Sequence, residues 1–250
     1  MKNKNKYNVA ARAALFALAL TAALALNTTA IAQAPPGSLW YNGDWNYVNG
    51  LANERNTVVS QAGVYDDFAV TGGPAWHVTN VFSDNLMTAG EVITSADWEI
   101  RTGISAGNAG TLVAGGTSTN LTVTLTGRIF FGLPEQMVVV NGLNLTLPAL
   151  PAGQEYWLNV TPADNGTGRS FNSTTSGANC IGTCGNDPVH DAFFNSTFFG
   201  AFFTPTQVQG QDTNFSNGVM GTVVPEPATV ALLVCGVGAL LIAVRRRRSS

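Results

Sequence analysis

The chain has 250 residues, of which 45% are hydrophobic and only 11% are charged, and its formal net charge is −3. That value hides an asymmetry, because all three lysines and five of the nine arginines lie near the two ends of the chain. Between Gln33 and Val224, four arginines stand against 14 acidic residues, for a net charge of −10. A lysine-free, acidic domain does not bind nucleic acid or an anionic membrane by charge, so no nucleic-acid partner is expected.

Residues 1–32 have the three parts of a secretory signal peptide. Basic residues up to Arg12 precede an apolar block from Ala13 to Leu26, and Ala30 and Ala32 then form a small-x-small cleavage site. An uncleaved anchor is the alternative, but a block of about 14 residues is short for a bilayer span. We therefore expect export by the general secretion machinery, cleavage by signal peptidase and a mature chain that begins at Gln33.

Residues 33–223 are predicted to form a single all-β domain. Leu121 to Thr126 alternates apolar residues with threonine, as is typical of a half-buried strand. Met137 to Val140, followed by Asn141-Gly142 and alternating leucines, predicts a hairpin with a type I′ turn. Turn residues recur at intervals of about 8–12 residues, which favours a β-sandwich, and no helical stripe is present. Further strands are predicted at 64–70, 76–82, 91–94, 98–101 and 156–160.

Asp66 and Asp67 form the strongest polar candidate. Alternation along a strand places them on opposite faces, so one apolar layer cannot bury both. Two interpretations stay open: an acid at a strand end that accepts backbone amides, or a ligand of a structural Ca²⁺, whose shell takes carboxylate and carbonyl oxygens. No other cofactor and no other metal are expected.

Aromatic residues suggest two candidate binding surfaces. Trp40, Tyr41, Trp45 and Tyr47 have polar neighbours, which predicts exposed rings that could stack on a glycan. Six phenylalanines lie between 193 and 203. We expect them mainly in core strands, with an exposed surface as the alternative, because soluble domains rarely expose large apolar patches.

Catalysis finds little support in the residues, and we predict that the protein is not an enzyme. The chain has two histidines and no G-x-S-x-G sequence, and its mature part has no lysine for Schiff-base chemistry. A pair of carboxylates would be the remaining route, as in glycosidases. Its candidates are Asp66, Asp67, Asp97 and Glu99.

Cys180 and Cys184 bracket a short segment rich in small residues. In an oxidising compartment this spacing favours a small-loop disulfide. A turn at Gly182 could bring the two Cα atoms within the required range of about 4.4–6.8 Å. The alternative is a zinc site with His190 and Asp191, whose spacing fits no standard ligand pattern.

Residues 224–250 carry a second apolar segment. Ala228 to Val244 is uncharged and 17 residues long. As a helix it would extend about 25 Å, which is enough to cross a bilayer core. Arg245, Arg246, Arg247 and Arg248 follow, and the positive-inside bias places them in the cytoplasm. Pro225, Glu226 and Pro227 precede the segment, and the two prolines keep this tripeptide extended and accessible.

This tail resembles the PEP-CTERM sorting family, with a Val-Pro-Glu-Pro-Ala-Thr run, one apolar helix and a basic cluster in that order. The resemblance implies recognition by an exosortase, a membrane-embedded cysteine transpeptidase of Gram-negative cells that make exopolysaccharide. A plain single-pass anchor is the alternative. Internal segments are also similar to a group of PEP-CTERM surface proteins, and the fold they imply is a jelly-roll-like β-sandwich. These segments are 39–44, 49–52, 64–68, 98–103, 156–158 and 214–218.

The sequence therefore predicts an exported surface or matrix protein with a structural or adhesive role in exopolysaccharide or biofilm. A carbohydrate-binding module at the cell envelope is the alternative. Exosortase, signal peptidase and exopolysaccharide are the expected partners. The chain would be anchored in the membrane during sorting and would then reach the cell surface or the extracellular matrix.

Overall fold

The computed structural model describes residues 34–183, 192–211 and 213–225, which form two β-sheets in a sandwich-like arrangement. This part of the chain contains no α-helix, and its one 3-10 turn is Thr206–Gln209. The predicted all-β class is confirmed. The strands are β1 (Ser38–Tyr41), β2 (Trp45–Ala52), β3 (Gly63–Phe68), β4 (Ala75–Met87), β5 (Ser95–Thr102), β6 (Thr111–Ser118), β7 (Leu121–Phe130), β8 (Leu133–Val140), β9 (Leu145–Pro148), β10 (Tyr156–Ala163), β11 (Ser170–Thr175), β12 (Phe193–Ser196), β13 (Ala201–Pro205) and β14 (Asn217–Val224).

The eight-stranded sheet is built around β4, which is 13 residues long. One edge of β4 pairs with β14 and then with β11, and the other edge pairs with β9 and β8. The strands β1 and β2 lie outside β14 and β11, and β7 lies outside β8. All of these pairs are antiparallel.

The second sheet has six strands in the order β13-β12-β3-β10-β5-β6. The predicted alternation in β10 is confirmed, because Tyr156, Leu158 and Val160 all belong to the main hydrophobic core. Val78 and Val81 of β4 face them from the other sheet in the same core. Alternation then turns the intervening residues of β10 to the outer face of the six-stranded sheet.

The predicted hairpin at Asn141-Gly142 is wrong. The strands β8 and β9 do not pair with each other, because both run antiparallel to β4 as successive parts of one interrupted strand. The two-residue hairpin turn lies instead at Phe131-Gly132, between β7 and β8. Both residues have positive φ, 48° and 81°, as a type I′ turn requires.

Two further strand predictions have different outcomes. The strand that starts at Leu121 is confirmed and extends to Phe130. The strand predicted at 91–94 is wrong, because this segment is a loop. Thr94 donates its backbone N–H to the backbone oxygen of Ala163, and Ile93 packs against the core, whereas Val92 is exposed.

Candidate functional site

A polar groove of about 330 Å³ lies on the outer face of the six-stranded sheet. It crosses β3, β10, β5 and β6. Its walls and floor contain carboxylate, amide and hydroxyl groups, of which the carboxylates are partly exposed and the side chains of Tyr65, Asn159 and Thr161 are buried. The polar lining consists of Gln61, Tyr65, Asp97, Glu99, Thr117, Asn159 and Thr161.

Asp97 and Glu99 share this face because they lie two residues apart on β5. Each forms an ion pair with an arginine: Arg55 Nε lies 2.6 Å from Asp97 Oδ2, and Arg101 Nε lies 2.6 Å from Glu99 Oε2. Each also accepts a hydroxyl, and the Tyr65 hydroxyl donates to Glu99 at 2.7 Å. The two carboxylates are therefore held in fixed orientations and remain partly exposed.

The phenol of Tyr65 acts as a donor within this arrangement. Burial is the largest cause of its raised pKa, and the charge of Glu99 raises the pKa further. The hydroxyl therefore keeps its proton and orients the carboxylate of Glu99 towards the groove.

The floor of the groove is fixed by Asn53, which follows β2. Its side-chain oxygen accepts a hydrogen bond from Thr161 at 2.9 Å, and its amide donates to the backbone oxygen of Val160 at 2.8 Å. Asn159 donates to the backbone oxygen of Val64 at 2.8 Å and so links β10 to β3. Gly63 leaves the necessary space, because a Cβ there would lie 3.0 Å from the Asn159 amide.

Glycine also shapes the wall formed by β6. A Cβ at Gly115 would lie 3.2 Å from Glu99 Cγ and 2.8 Å from the backbone oxygen of Trp98. The absence of a side chain therefore lets Glu99 lie across β6. The groove thus depends on two glycines as well as on the polar residues themselves.

The predicted exposure of the four N-terminal aromatic residues is wrong for three of them. Trp40, Tyr41 and Trp45 are only 0%, 2% and 1% exposed, whereas Tyr47 is 62% exposed. The Trp40 ring stacks on Phe68 in the core, with ring centroids 5.1 Å apart. A ring without accessible surface cannot stack on a sugar, so only Tyr47 retains that possibility.

Tyr47 belongs to a chain of rings that sequence analysis missed. Trp45 lies between Tyr47 and Phe130, with centroid distances of 4.6 and 5.3 Å, and Phe130 contacts Phe131. Phe131 is 92% exposed and occupies the β7–β8 turn. No sequence pattern indicated a turn at this residue, because phenylalanine rarely adopts positive φ.

Asp66 accepts backbone amides, one of the two interpretations left open by the sequence. Its carboxylate is fully buried and accepts the backbone N–H groups of Phe215 and Asp67 and the side-chain amide of Asn42. Asp67 lies on the opposite face and is half-buried, as alternation predicts. In the described ranges, no group of three or more His, Cys, Asp or Glu residues is arranged to hold a metal ion.

The phenylalanine-rich segment divides equally between core and surface. Strands β12 and β13 carry the buried members, Phe193, Phe194 and Phe203. The exposed members are Phe198, Phe199 and Phe202. The expectation of core strands therefore holds for half of the group.

A buried charge cluster beneath the β7–β8 hairpin was also missed. Arg128 is 7% exposed and contacts three carboxylates: Glu135, to which its Nε donates, Asp44 at 3.5 Å and Asp84 at 3.6 Å. Burial raises the pKa of Asp84, as does the charge of Glu135, to about 7. Arg128 is the only charged residue of β7, and this could have indicated the cluster, because a buried charge needs a partner of opposite charge.

Several predicted residues lie outside the described part of the chain. These are Ala30 and Ala32, Cys184, and Glu226 onwards, which include the predicted span 228–244 and the four arginines. Cys180 is described and is not a free thiol. Across residues 34–183, 192–211 and 213–225, no helix is long and apolar enough to cross a membrane.

No known family model matches the chain, and no curated protein matches it.

Proposed function

We propose that this protein is exported to the cell surface or extracellular matrix and adheres there to polysaccharide through the groove on its six-stranded sheet. The signal-peptide pattern and the exosortase-type tail support export and sorting. The single observation that carries the binding role is the groove itself, in which the partly exposed carboxylates of Asp97 and Glu99 are held in orientations that can accept hydrogen bonds from sugar hydroxyls. The proposed fold is a jelly-roll-like sandwich.

We favour binding over hydrolysis at this site. Hydrolysis would need one carboxyl group to protonate the leaving oxygen and the other to attack or to activate water. Asp97 and Glu99 instead each form an ion pair with an arginine and accept a hydrogen bond from a hydroxyl group. These contacts would compete with both catalytic roles, whereas they suit fixed acceptors in a binding site.

The test compares two variants of the full chain that carry the same chemical change. Glu99→Gln alters the groove, and Glu91→Gln alters a half-buried carboxylate outside its lining. Glu99→Gln should weaken binding to the exopolysaccharide of the producing cells by about tenfold, because a charged acceptor is lost. Glu91→Gln should bind like the wild type. Equal binding by all three proteins would refute the groove as the site.

The alternative, a carbohydrate-binding module directed at other glycans, uses the same groove. A glycan array separates the two possibilities. Binding confined to glycans unrelated to the cell's own polysaccharide would favour the module over the matrix protein.

A further inference from the structure

The strand β7 forms an edge of the eight-stranded sheet. Within the described residues it pairs only with β8. The backbone N–H of Asn141 donates to Asn120, which places the amide groups of even-numbered residues on the β8 side. Alternation then turns the N–H and C=O groups of Leu121, Val123 and Leu125 towards the open edge.

Apolar side chains accompany these open backbone groups. Leu121 packs against the main core, and Val123 lies opposite Val138, a core residue. Val123 and Leu125 share the face of Leu121, yet they are 39% and 66% exposed. The core-facing side of the eight-stranded sheet is therefore only partly covered at this edge, and apolar side chains there are exposed.

Other edges in the described chain carry features that discourage strand addition, such as shortness, proline or irregular backbone. The edge strand β1 has four residues, and β13 has five and ends at Pro205. Tyr47 interrupts β2 with a φ of 61°, and β6 contains two adjacent glycines. The segment of β7 from Leu121 to Thr126 has none of these features.

Charge also favours this edge for contact between identical molecules. No charged residue occurs from Thr102 to Gly127, although the mature domain carries a net charge of −10. Two copies that approach by most other surfaces would bring acidic groups together. Pairing through β7 avoids that repulsion.

We propose that β7 is a self-association edge that pairs antiparallel with β7 of a second copy, about a two-fold axis at Val123. This register places Val123 opposite Val123 and Thr122 opposite Thr124, and it places Leu121 opposite Leu125. Aliphatic residues then meet aliphatic residues on one face, and threonines meet on the other, which are favourable cross-strand pairs. The contact is isologous and closes as a dimer. The proposal is independent of the groove, which lies on the other sheet.

Cysteines added one at a time to the full chain, which has three of its own, test this register. Val123→Cys should give a covalent dimer on oxidation, because a residue on the axis faces its own copy at about 5.5 Å between Cα atoms. Thr124→Cys is the matched control and should not link to itself, since it faces Thr122. A mixture of Thr122→Cys and Thr124→Cys chains should yield the mixed dimer, identified by mass spectrometry. Equal yields from Val123→Cys and Thr124→Cys alone would overturn the proposal.

Sedimentation provides a second test that needs no new thiol. Val123→Glu places two carboxylates opposite each other and should lower the association constant of the dimer by about tenfold or more. Val92→Glu, at an exposed loop position, should leave it unchanged. Circular dichroism checks that both variants fold, and if Val123→Glu does not, the cysteine series decides. A wild-type chain that stays monomeric at every concentration would overturn the proposal.

Discussion

Replacing Asp84 with asparagine should remove a pH-dependent loss of stability. In the folded protein, burial and then the charge of Glu135 raise the pKa of Asp84 to about 7, against 3.8 for an exposed carboxyl group. Between these two values the folded chain keeps a proton that the unfolded chain has released. Stability therefore falls as the pH rises from about 4 to about 7, and it stays low above that range.

The size of the effect follows from the two pKa values. A difference of about 3 units at 1.36 kcal/mol per unit corresponds to about 4 kcal/mol of unfolding free energy, as an upper value. Asparagine cannot ionise, and its side-chain oxygen can still accept the hydroxyl of Ser216, now 2.8 Å from Asp84. Its amide would replace Oδ1, a buried oxygen with no hydrogen-bond partner, at a cost of about 1–3 kcal/mol.

The loss of stability on ionising Asp84 and the cost of the unpaired amide together predict that the stabilities of the two proteins cross over with pH. Near pH 4 Asp84→Asn should be less stable than the wild type, and above pH 7 it should be equally stable or more stable. Urea unfolding at steps between pH 4 and pH 8.5, followed by tryptophan fluorescence, measures the difference. Asp164→Asn serves as the control for loss of a carboxylate in a loop. Parallel pH profiles for the wild type and Asp84→Asn would refute the reasoning.

Three further predictions concern the backbone, the tail and the thiols. Gly110→Ala should lower the free energy of unfolding by roughly 2–4 kcal/mol, because its φ is +62° and a Cβ would lie 2.1 Å from a backbone oxygen. Gly103→Ala, with φ +67° but open space, should cost only about 1 kcal/mol, so equal losses in urea titrations would contradict this account. Glu226→Ala should block removal of the tail in a cell with a working exosortase, and an unchanged mass of the surface-released protein would count against recognition of the tripeptide. Alkylation without reduction should leave Cys180 and Cys184 unlabelled, whereas labelling of both would exclude the bridge between them.

Alternation along the sequence was enough to identify the all-β class and individual strands, because side-chain burial in a strand is a local property. Strand pairing could not be predicted in this way, because it depends on residues that are far apart in the sequence. Asn141-Gly142 has the composition of a hairpin turn, yet it interrupts a strand that continues along β4. The true turn at Phe131-Gly132 depends on a residue type that rarely accepts positive φ.

The candidate site was partly accessible from the sequence. Asp97 and Glu99 were two of the four acidic residues predicted as candidates for a carboxylate pair, and their spacing places them on one face of β5. Their neighbours Tyr65 and Asn159 come from distant strands, which only the sheet order brings together.

The aromatic prediction failed for a different reason. Trp40, Tyr41 and Trp45 were expected at the surface because their neighbours are polar. Those neighbours, Asn42 and Asp44, are themselves buried and hydrogen-bonded. Polar neighbours therefore indicate exposure only where they are not part of an internal network.

The position of β14 has a consequence for the order in which the chain can fold. Within the described residues this strand lies between β1 and β4, so β1 joins the eight-stranded sheet through a strand that is far away in the sequence. As the chain is synthesised from its N-terminus, residues 75–83 of β4 keep one unpaired edge until residues 217–224 are made. Such a large sequence separation slows folding, because a long loop must close before the pairing is gained. Among the described residues, a chain cut before Asn217 would leave β1 only its bridge from Tyr41 to Ile181, so the eight-stranded sheet is complete only once residues 217–224 have been made.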